Sequence, residues 1–130
     1  MAPPRSADGI HRDFYADQVL VDGARLYLLD FDLFCLGDPA LDAGNFIAHL
    51  TEYALRVLGD AGALACHERA FEDTFCQSHG EHARSAVRGY ATLTLARHVW
   101  ISHNITRRRP WTEAILALCE RRLASPLAVG

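Results

Sequence analysis

The chain contains no lysine, and all thirteen of its basic residues are arginine. It has no apolar run of the roughly 18 residues that a membrane-spanning helix requires, and its start lacks the regions of a signal peptide. The net charge is −3, and no basic stripe extends beyond residues 107–109, which argues against a nucleic-acid ligand. We therefore expect a cytoplasmic protein with neither nucleic-acid nor membrane partners.

The four cysteines are scattered and form no CxxC pair, which favours buried thiols over a disulfide framework. Zinc-type ligands do occur close together in residues 66–82. However, Cys76 and His79 share a helical period with the apolar residues Phe71 and Phe75, so these side chains cannot all face one ion without leaving the core face. A structural zinc site is the less favoured interpretation.

The most informative segment begins with His11, Arg12 and Asp13 and ends with Asp30-Phe31-Asp32. Between Gln18 and Asp30 lie two β-rich runs around an Asp-Gly turn, a pattern that predicts a tight hairpin. Because a hairpin brings its two ends together, Gln18 and Asp30 should lie side by side, with Asp13 on the loop just before. Oxygen ligands far apart in sequence could then converge on one metal ion.

The order of these parts resembles the catalytic segment of kinase-fold phosphotransferases, most closely the aminoglycoside phosphotransferase and choline kinase branch. That family carries a His-x-Asp loop, an Asn five residues after the Asp, a short hairpin and a metal-binding Asp. Its Gly-Asp-Pro-x-x-Asp element, which enters a helix, corresponds to residues 37–42. The similar stretch runs from about His11 to about Leu50.

The resemblance implies transfer of a phosphoryl group from ATP, with Mg²⁺, to a hydroxyl of a small-molecule acceptor. Asp13 would be the catalytic residue that accepts or orients the hydroxyl proton, while Gln18 and Asp30 hold Mg²⁺. Asp32 is either a second metal ligand or a solvated loop acid. No residue is assigned to nucleotide binding.

Three further residues are expected to be structural. His11 should pack and hydrogen-bond rather than transfer protons, and Asp38 with Pro39 should form the turn into the following helix. Asp42 resembles the family aspartate whose carboxylate braces the backbone of the catalytic loop, and an acid there is also favoured by the helix dipole.

Two departures from the family pattern bear on activity. Gln18 stands where the family has Asn and is one methylene longer, and neither the phosphate-holding lysine nor a glycine-rich strand-loop-strand precedes His11. We therefore expect the nucleotide-binding N-terminal lobe to be absent and residues 1–10 to be a flexible lead-in. Residues 11–130 would be the C-terminal lobe of a protein-kinase-like fold, with the catalytic loop and hairpin in 11–32 and a helical bundle in 39–126.

The pattern after Asp42 has a helical period, and the fold class is mainly α with a short β-hairpin. At 130 residues, with 50% hydrophobic and 22% charged residues, the chain can form one domain with a core. The first predicted helix ends at Gly59 and the second covers residues 63–78. The third, through Val87 to Ile101, is expected to be buried on more than one side, and the last opens at Pro110 and ends before residue 126.

Three function classes stay open: an active small-molecule kinase, a degenerate non-catalytic binding or interaction module, and a metal-dependent hydrolase using Asp13, Asp30 and Asp32. An amine-bearing acceptor fits the branch. It also fits a set of acidic side chains, which could equally lie on solvated helix faces: Glu52, Glu72, Asp73 and Glu81.

Several apolar residues would line the cleft of a complete enzyme and should be partly exposed, which predicts self-association or a separate chain supplying the missing lobe. These residues are Phe14, Tyr15, Phe31, Phe34 and Leu36.

Overall fold

Two small antiparallel sheets precede the helices in the computed structural model, which describes residues 7–125. The strands are β1 (Asp8–Ile10), β2 (Val19–Asp22), β3 (Arg25–Leu28) and β4 (Cys35–Gly37). Strands β2 and β3 form the predicted hairpin, but its last pair is Asp22 with Arg25, so Gly23 and Ala24 form the turn in place of Asp-Gly. Gly23 has a φ of 57°, a conformation that glycine adopts without strain.

The second sheet pairs β1 with β4 and was not predicted. The prediction of a flexible lead-in is therefore wrong at residues 8–10. Residues 1–6 lie outside the described part of the chain. Ile10, opposite Cys35, is only 3% exposed, so burial of one apolar side chain accompanies the pairing. A three-residue strand whose partner lies 25 positions later leaves no local pattern to detect.

Four α-helices follow, in agreement with the predicted fold class: α1 (Pro39–Leu58), α2 (Ala65–His79), α3 (Arg84–Asn104) and α4 (Thr112–Ala124). Helix α1 begins where the Asp38 carboxylate accepts a hydrogen bond from the Ala40 N–H at 3.0 Å, and it ends at Gly59, which has a φ of 74°. Pro110 lies inside a 3₁₀ segment, Thr106–Trp111, so the last helix begins two residues later than predicted.

The core lies mainly between α1, α3 and α4. Gly44 lets α1 and α3 approach closely, because a Cβ atom there would lie 2.6 Å from the Tyr90 Cβ and 2.7 Å from the Val87 carbonyl oxygen. The prediction that α3 is buried on more than one side is wrong, since Leu93 and Trp100 are 67% and 68% exposed. Among the described residues, no helix is long and apolar enough to cross a membrane.

Candidate active site

The loop at His11–Asp13 is fastened to the first turn of α1 by Asp42. One oxygen of the Asp42 carboxylate accepts a hydrogen bond from the His11 N–H at 2.7 Å, and the other accepts one from the Arg12 N–H at 2.8 Å. Arg12 has a φ of 75°, which is unfavourable for a residue other than glycine. The two charge-assisted hydrogen bonds therefore hold the loop in a conformation that it would not adopt by itself.

The His11 side chain connects this loop to the end of the hairpin. Its Nε2 lies 2.7 Å from the Leu29 carbonyl oxygen, and its Nδ1 accepts a hydrogen bond from the Asp13 N–H at 3.2 Å. A neutral ring protonated on Nε2 satisfies both contacts, because Nδ1 then keeps its lone pair for Asp13. The ring is 6% exposed and contacts the ring of Phe31 at 5.4 Å. His11 thus sets the position of Asp13 relative to the hairpin.

The Asp13 carboxylate lies on this braced loop and is half-buried. Within residues 7–125 it forms no hydrogen bond or ion pair. A carboxylate whose backbone is held on both sides, and whose oxygens are not engaged by the protein, can accept a hydrogen bond from a bound molecule.

The base of the hairpin brings Gln18 and the Asp30 segment together. The Leu29 N–H donates to the Gln18 carbonyl oxygen at 2.8 Å, so Asp30 directly follows the residue opposite Gln18. Gln18 is 8% exposed, and Asp30, with a φ of 58°, is exposed. The hairpin therefore makes Gln18 and Asp30 neighbours along the backbone, as the sequence predicted.

Asp32 lies outside any strand, so strand alternation does not determine where its side chain points. Its N–H donates to the Asp30 Oδ1 at 3.3 Å, which forms a turn around Asp30. Within residues 7–125 no three His, Cys, Asp or Glu side chains form a cluster that could hold a metal ion. Asp30 and Asp32 are thus close in the chain without a third acidic or histidine partner.

Asn45 is a buried residue of the site that the sequence analysis did not single out. Its side-chain amide donates to the Phe14 carbonyl oxygen at 2.8 Å, and its oxygen accepts from the Thr94 hydroxyl at 3.4 Å. Asn45 therefore joins the segment after Asp13 to both α1 and α3. A polar residue three positions after Asp42, in an otherwise apolar stripe, is the signal that could have identified it.

A column of aromatic rings extends from the loop into the helices. Tyr15 stacks on His49 with ring centroids 4.4 Å apart, and His49 meets His98 edge-on at 4.6 Å. Burial lowers the pKa of His49 to about 3, and the charges of His98, when that ring is protonated, and of Arg97 and Arg108 lower it further. Both histidines are consequently neutral at physiological pH, since burial also lowers the pKa of His98.

Charges of both signs surround the Tyr15 hydroxyl. Burial raises the pKa of Tyr15 above its usual value, and the carboxylates of Asp13 and Asp30 raise it further. Arg108, from the 3₁₀ segment before α4, lowers the pKa of the same hydroxyl. The Tyr15 hydroxyl is therefore within electrostatic range of acidic groups of the loop and hairpin and of a basic group of the helical part.

A model of the phosphotransferase enzyme family matches residues 4–75, just over half of the 130-residue chain. This match confirms the family resemblance predicted from the motifs. It covers every predicted site residue and ends within α2. No curated protein and no solved structure matches the chain.

Proposed function

The chain belongs to the phosphotransferase enzyme family, and we propose that it carries the hydroxyl-activating part of a kinase-fold small-molecule phosphotransferase. In this proposal, residues 11–125 correspond to the helical C-terminal lobe of that fold. The reaction is transfer of the terminal phosphoryl group of ATP to an alcohol. The observation that supports it most is Asp13, whose carboxylate has no partner within residues 7–125 although Asp42 and His11 fix its loop from two sides.

Asp13 is the residue that would contact the acceptor. Its carboxylate accepts a hydrogen bond from the acceptor hydroxyl and holds the proton as the oxygen becomes a nucleophile. His11 and Asp42 are positioning residues, because they touch the loop backbone and not the acceptor. Correct placement of the attacking oxygen supplies much of the rate in this chemistry.

The donor atoms at the hairpin base fit Mg²⁺. Gln18 and Asp30 offer an amide oxygen and a carboxylate, which are hard ligands, and Asp32 offers a second carboxylate nearby. Mg²⁺ in phosphoryl-transfer enzymes is commonly held by one or two carboxylates together with water and substrate phosphates, so a cluster of three acids is not required. When bound, Mg²⁺ would neutralise charge on the phosphates.

We expect transfer activity to depend on the Asp13 carboxylate. Asp13→Asn preserves shape but removes the proton acceptor, and should lower kcat for transfer from MgATP to an alcohol by about 10²- to 10⁴-fold. The measurement is phosphorylation of a panel of small alcohols by the purified chain. The matched control is Asp22→Asn, which changes an exposed acid at the far end of the hairpin and should leave kcat unchanged. Equal activity in wild type and Asp13→Asn would refute the assignment.

The second candidate is a degenerate binding module. It is favoured by Gln18 at the family's Asn position and by the absence of any lysine from the chain, which leaves no lysine to hold nucleotide phosphates. Calorimetric titration with MgATP separates the candidates. Binding of the acceptor without nucleotide binding or turnover would support the module, and turnover above the Asp13→Asn background would support the kinase.

A further inference from the structure

The acidic side chains that could have bound an amine of the acceptor form ion pairs with arginines instead. Each is in an ion pair within the helical part, at N–O distances of 2.5 to 2.7 Å. The pairs are Glu52–Arg56, Glu72–Arg88, Asp73–Arg84 and Glu81–Arg84. A cationic acceptor would have to displace an arginine at each of them. These four acids therefore give no support to an amine in the acceptor, which then rests on the family resemblance alone.

Unpaired positive charge lies instead around a cavity at the far end of α1. The cavity has a volume of about 360 Å³ and is lined by Arg56, Arg107, Arg108 and Trp111. Arg56 is paired with Glu52, but Arg107 and Arg108 form no ion pair within residues 7–125. Among residues 7–125 no acidic side chain lines the cavity, so two guanidinium groups are uncompensated there by the described part of the chain.

Arg56, which lines this cavity, lies two turns after His49 on α1, so it shares the side of the helix on which Tyr15 stacks. Arg108 acts electrostatically on both Tyr15 and His49, the two stacked rings beside the catalytic loop. Seven residues, or about 10 Å of helix, separate His49 from Arg56. An elongated molecule with its hydroxyl at Asp13 would therefore have to span about two turns of α1 to reach the arginines.

We propose that the acceptor carries an anionic group, a carboxylate or a phosphate, that Arg107 and Arg108 bind in this cavity while Trp111 covers the adjoining part of the molecule. This inference deepens the proposed function and rests on it for the identity of the ligand as acceptor. The guanidinium fork matches both oxyanions with two parallel hydrogen bonds. The indole ring supplies apolar contact next to the charged group.

Anion binding can be tested without turnover. In a Trp100→Phe background the remaining tryptophan is Trp111, and its fluorescence is followed during titration with inorganic phosphate and, separately, with acetate at constant ionic strength. We expect a saturable change with at least one anion, and the anion that binds more tightly identifies the headgroup. In Arg107→Ala/Arg108→Ala the affinity should fall by about tenfold or more.

Two further variants make the test specific. Arg69→Ala removes an exposed arginine on α2 and should bind the anion like wild type. Arg107→Lys/Arg108→Lys keeps both charges without the fork, and its affinity should lie between those of the alanine variant and wild type. A change that does not saturate with either anion, or equal affinity in wild type and the double alanine variant, would overturn the inference.

Transfer assays separate failure of this inference from failure of the proposed function. If alcohols that carry an anionic group are phosphorylated equally by wild type and Arg107→Ala/Arg108→Ala, the kinase assignment stands and the anion site is wrong. If anions bind at the arginines but no alcohol is phosphorylated, the binding site stands and the kinase assignment is wrong.

Discussion

At the scale of single residues, Asp30 combines two properties that matter for a metal ligand. It adopts a φ of 58°, which aspartate tolerates better than most residues, and its carboxylate accepts a hydrogen bond from the Asp32 N–H. The turn that orients the Asp30 carboxylate therefore depends on the Asp30 side chain. Asp32 contributes only its backbone N–H to that turn, so the two acids differ in what they supply to it.

We expect Asp30→Asn to abolish Mn²⁺ or Mg²⁺ binding, because asparagine keeps the turn and the unusual φ but loses the charge. Asp32→Ala should only weaken binding, since Asp30 lies at the hairpin base next to Gln18 and Asp32 does not. Calorimetric titration of both variants with Mn²⁺ is the measurement, with Asp22→Asn as the control. Equal losses in the two variants would show that the ligand assignment is wrong.

At the scale of elements, the contact between α1 and α3 determines how the loop at His11–Asp13 is supported. Gly44 permits the close approach, and the next residue, Asn45, hydrogen-bonds both to the loop and to α3. Further along the same contact, His49 faces His98, and the buried Nε2 of His49 has no hydrogen-bond partner within residues 7–125. A charged imidazole in this position would be costly because it would meet Arg97, Arg108 and His98.

This contact should make the stability of the fold depend on pH. The pKa of His49 falls from its usual 6.5 to about 3 on folding, so below pH 6.5 the unfolded chain binds a proton that the folded chain does not. The stabilisation is complete above pH 6.5 and is lost as the pH falls toward 3. Between pH 7 and pH 5 the free energy of unfolding should drop by about 1 to 2 kcal/mol from this group.

The comparison of His49→Phe with wild type isolates this contribution, because phenylalanine keeps a ring against Tyr15 but cannot be protonated. Urea unfolding at pH 7 and pH 5 is the measurement, and the variant should lose correspondingly less stability than wild type. His67→Gln, at an exposed position on α2, should behave like wild type. If His49→Phe and wild type lose the same stability, His49 is not the titrating group.

At the scale of the whole molecule, the hairpin and the segment after it present an apolar surface. Phe31, Phe34 and Leu36 are 53%, 57% and 73% exposed, while Phe14 and Tyr15 are half-buried against the helices. The cross-strand pair Val21 and Leu26 adds two side chains that are each 70% exposed. Large apolar side chains that are exposed in this number are commonly covered by another chain or by a second copy.

We expect the purified chain to self-associate or to pair with a separate chain through this apolar hairpin surface. Light scattering over a concentration series up to about 100 μM should show association of the chain alone in the first case. Val21→Glu/Leu26→Lys replaces the exposed pair by opposite charges that preserve the hairpin, and should weaken association. Leu93→Glu, at an exposed site on α3, is the control. A strict monomer whose behaviour neither change affects would contradict self-association.

The sequence by itself determined the local elements and the order of the site. Asp38-Pro39 and Gly59 mark the two ends of α1 through capping, and the β-rich runs around Gly23 specify the hairpin, because these signals act between near neighbours. The motif from His11 to Asp42 likewise identified the family, since the spacing of chemical groups along the chain is itself the signal.

Only the tertiary structure decided which distant groups meet. The β1–β4 pairing, the place of Asn45 between loop and α3, and the cavity at Arg107 and Arg108 all join segments far apart in the chain. The charge of an acid such as Glu72 is evident in the sequence, but its pairing with Arg88 is not. Packing of apolar faces brings these groups together, and a linear pattern carries no information on which face meets which. The sequence therefore determined the loop at His11–Asp13 and its motif, while helix packing determined which side chains surround that loop.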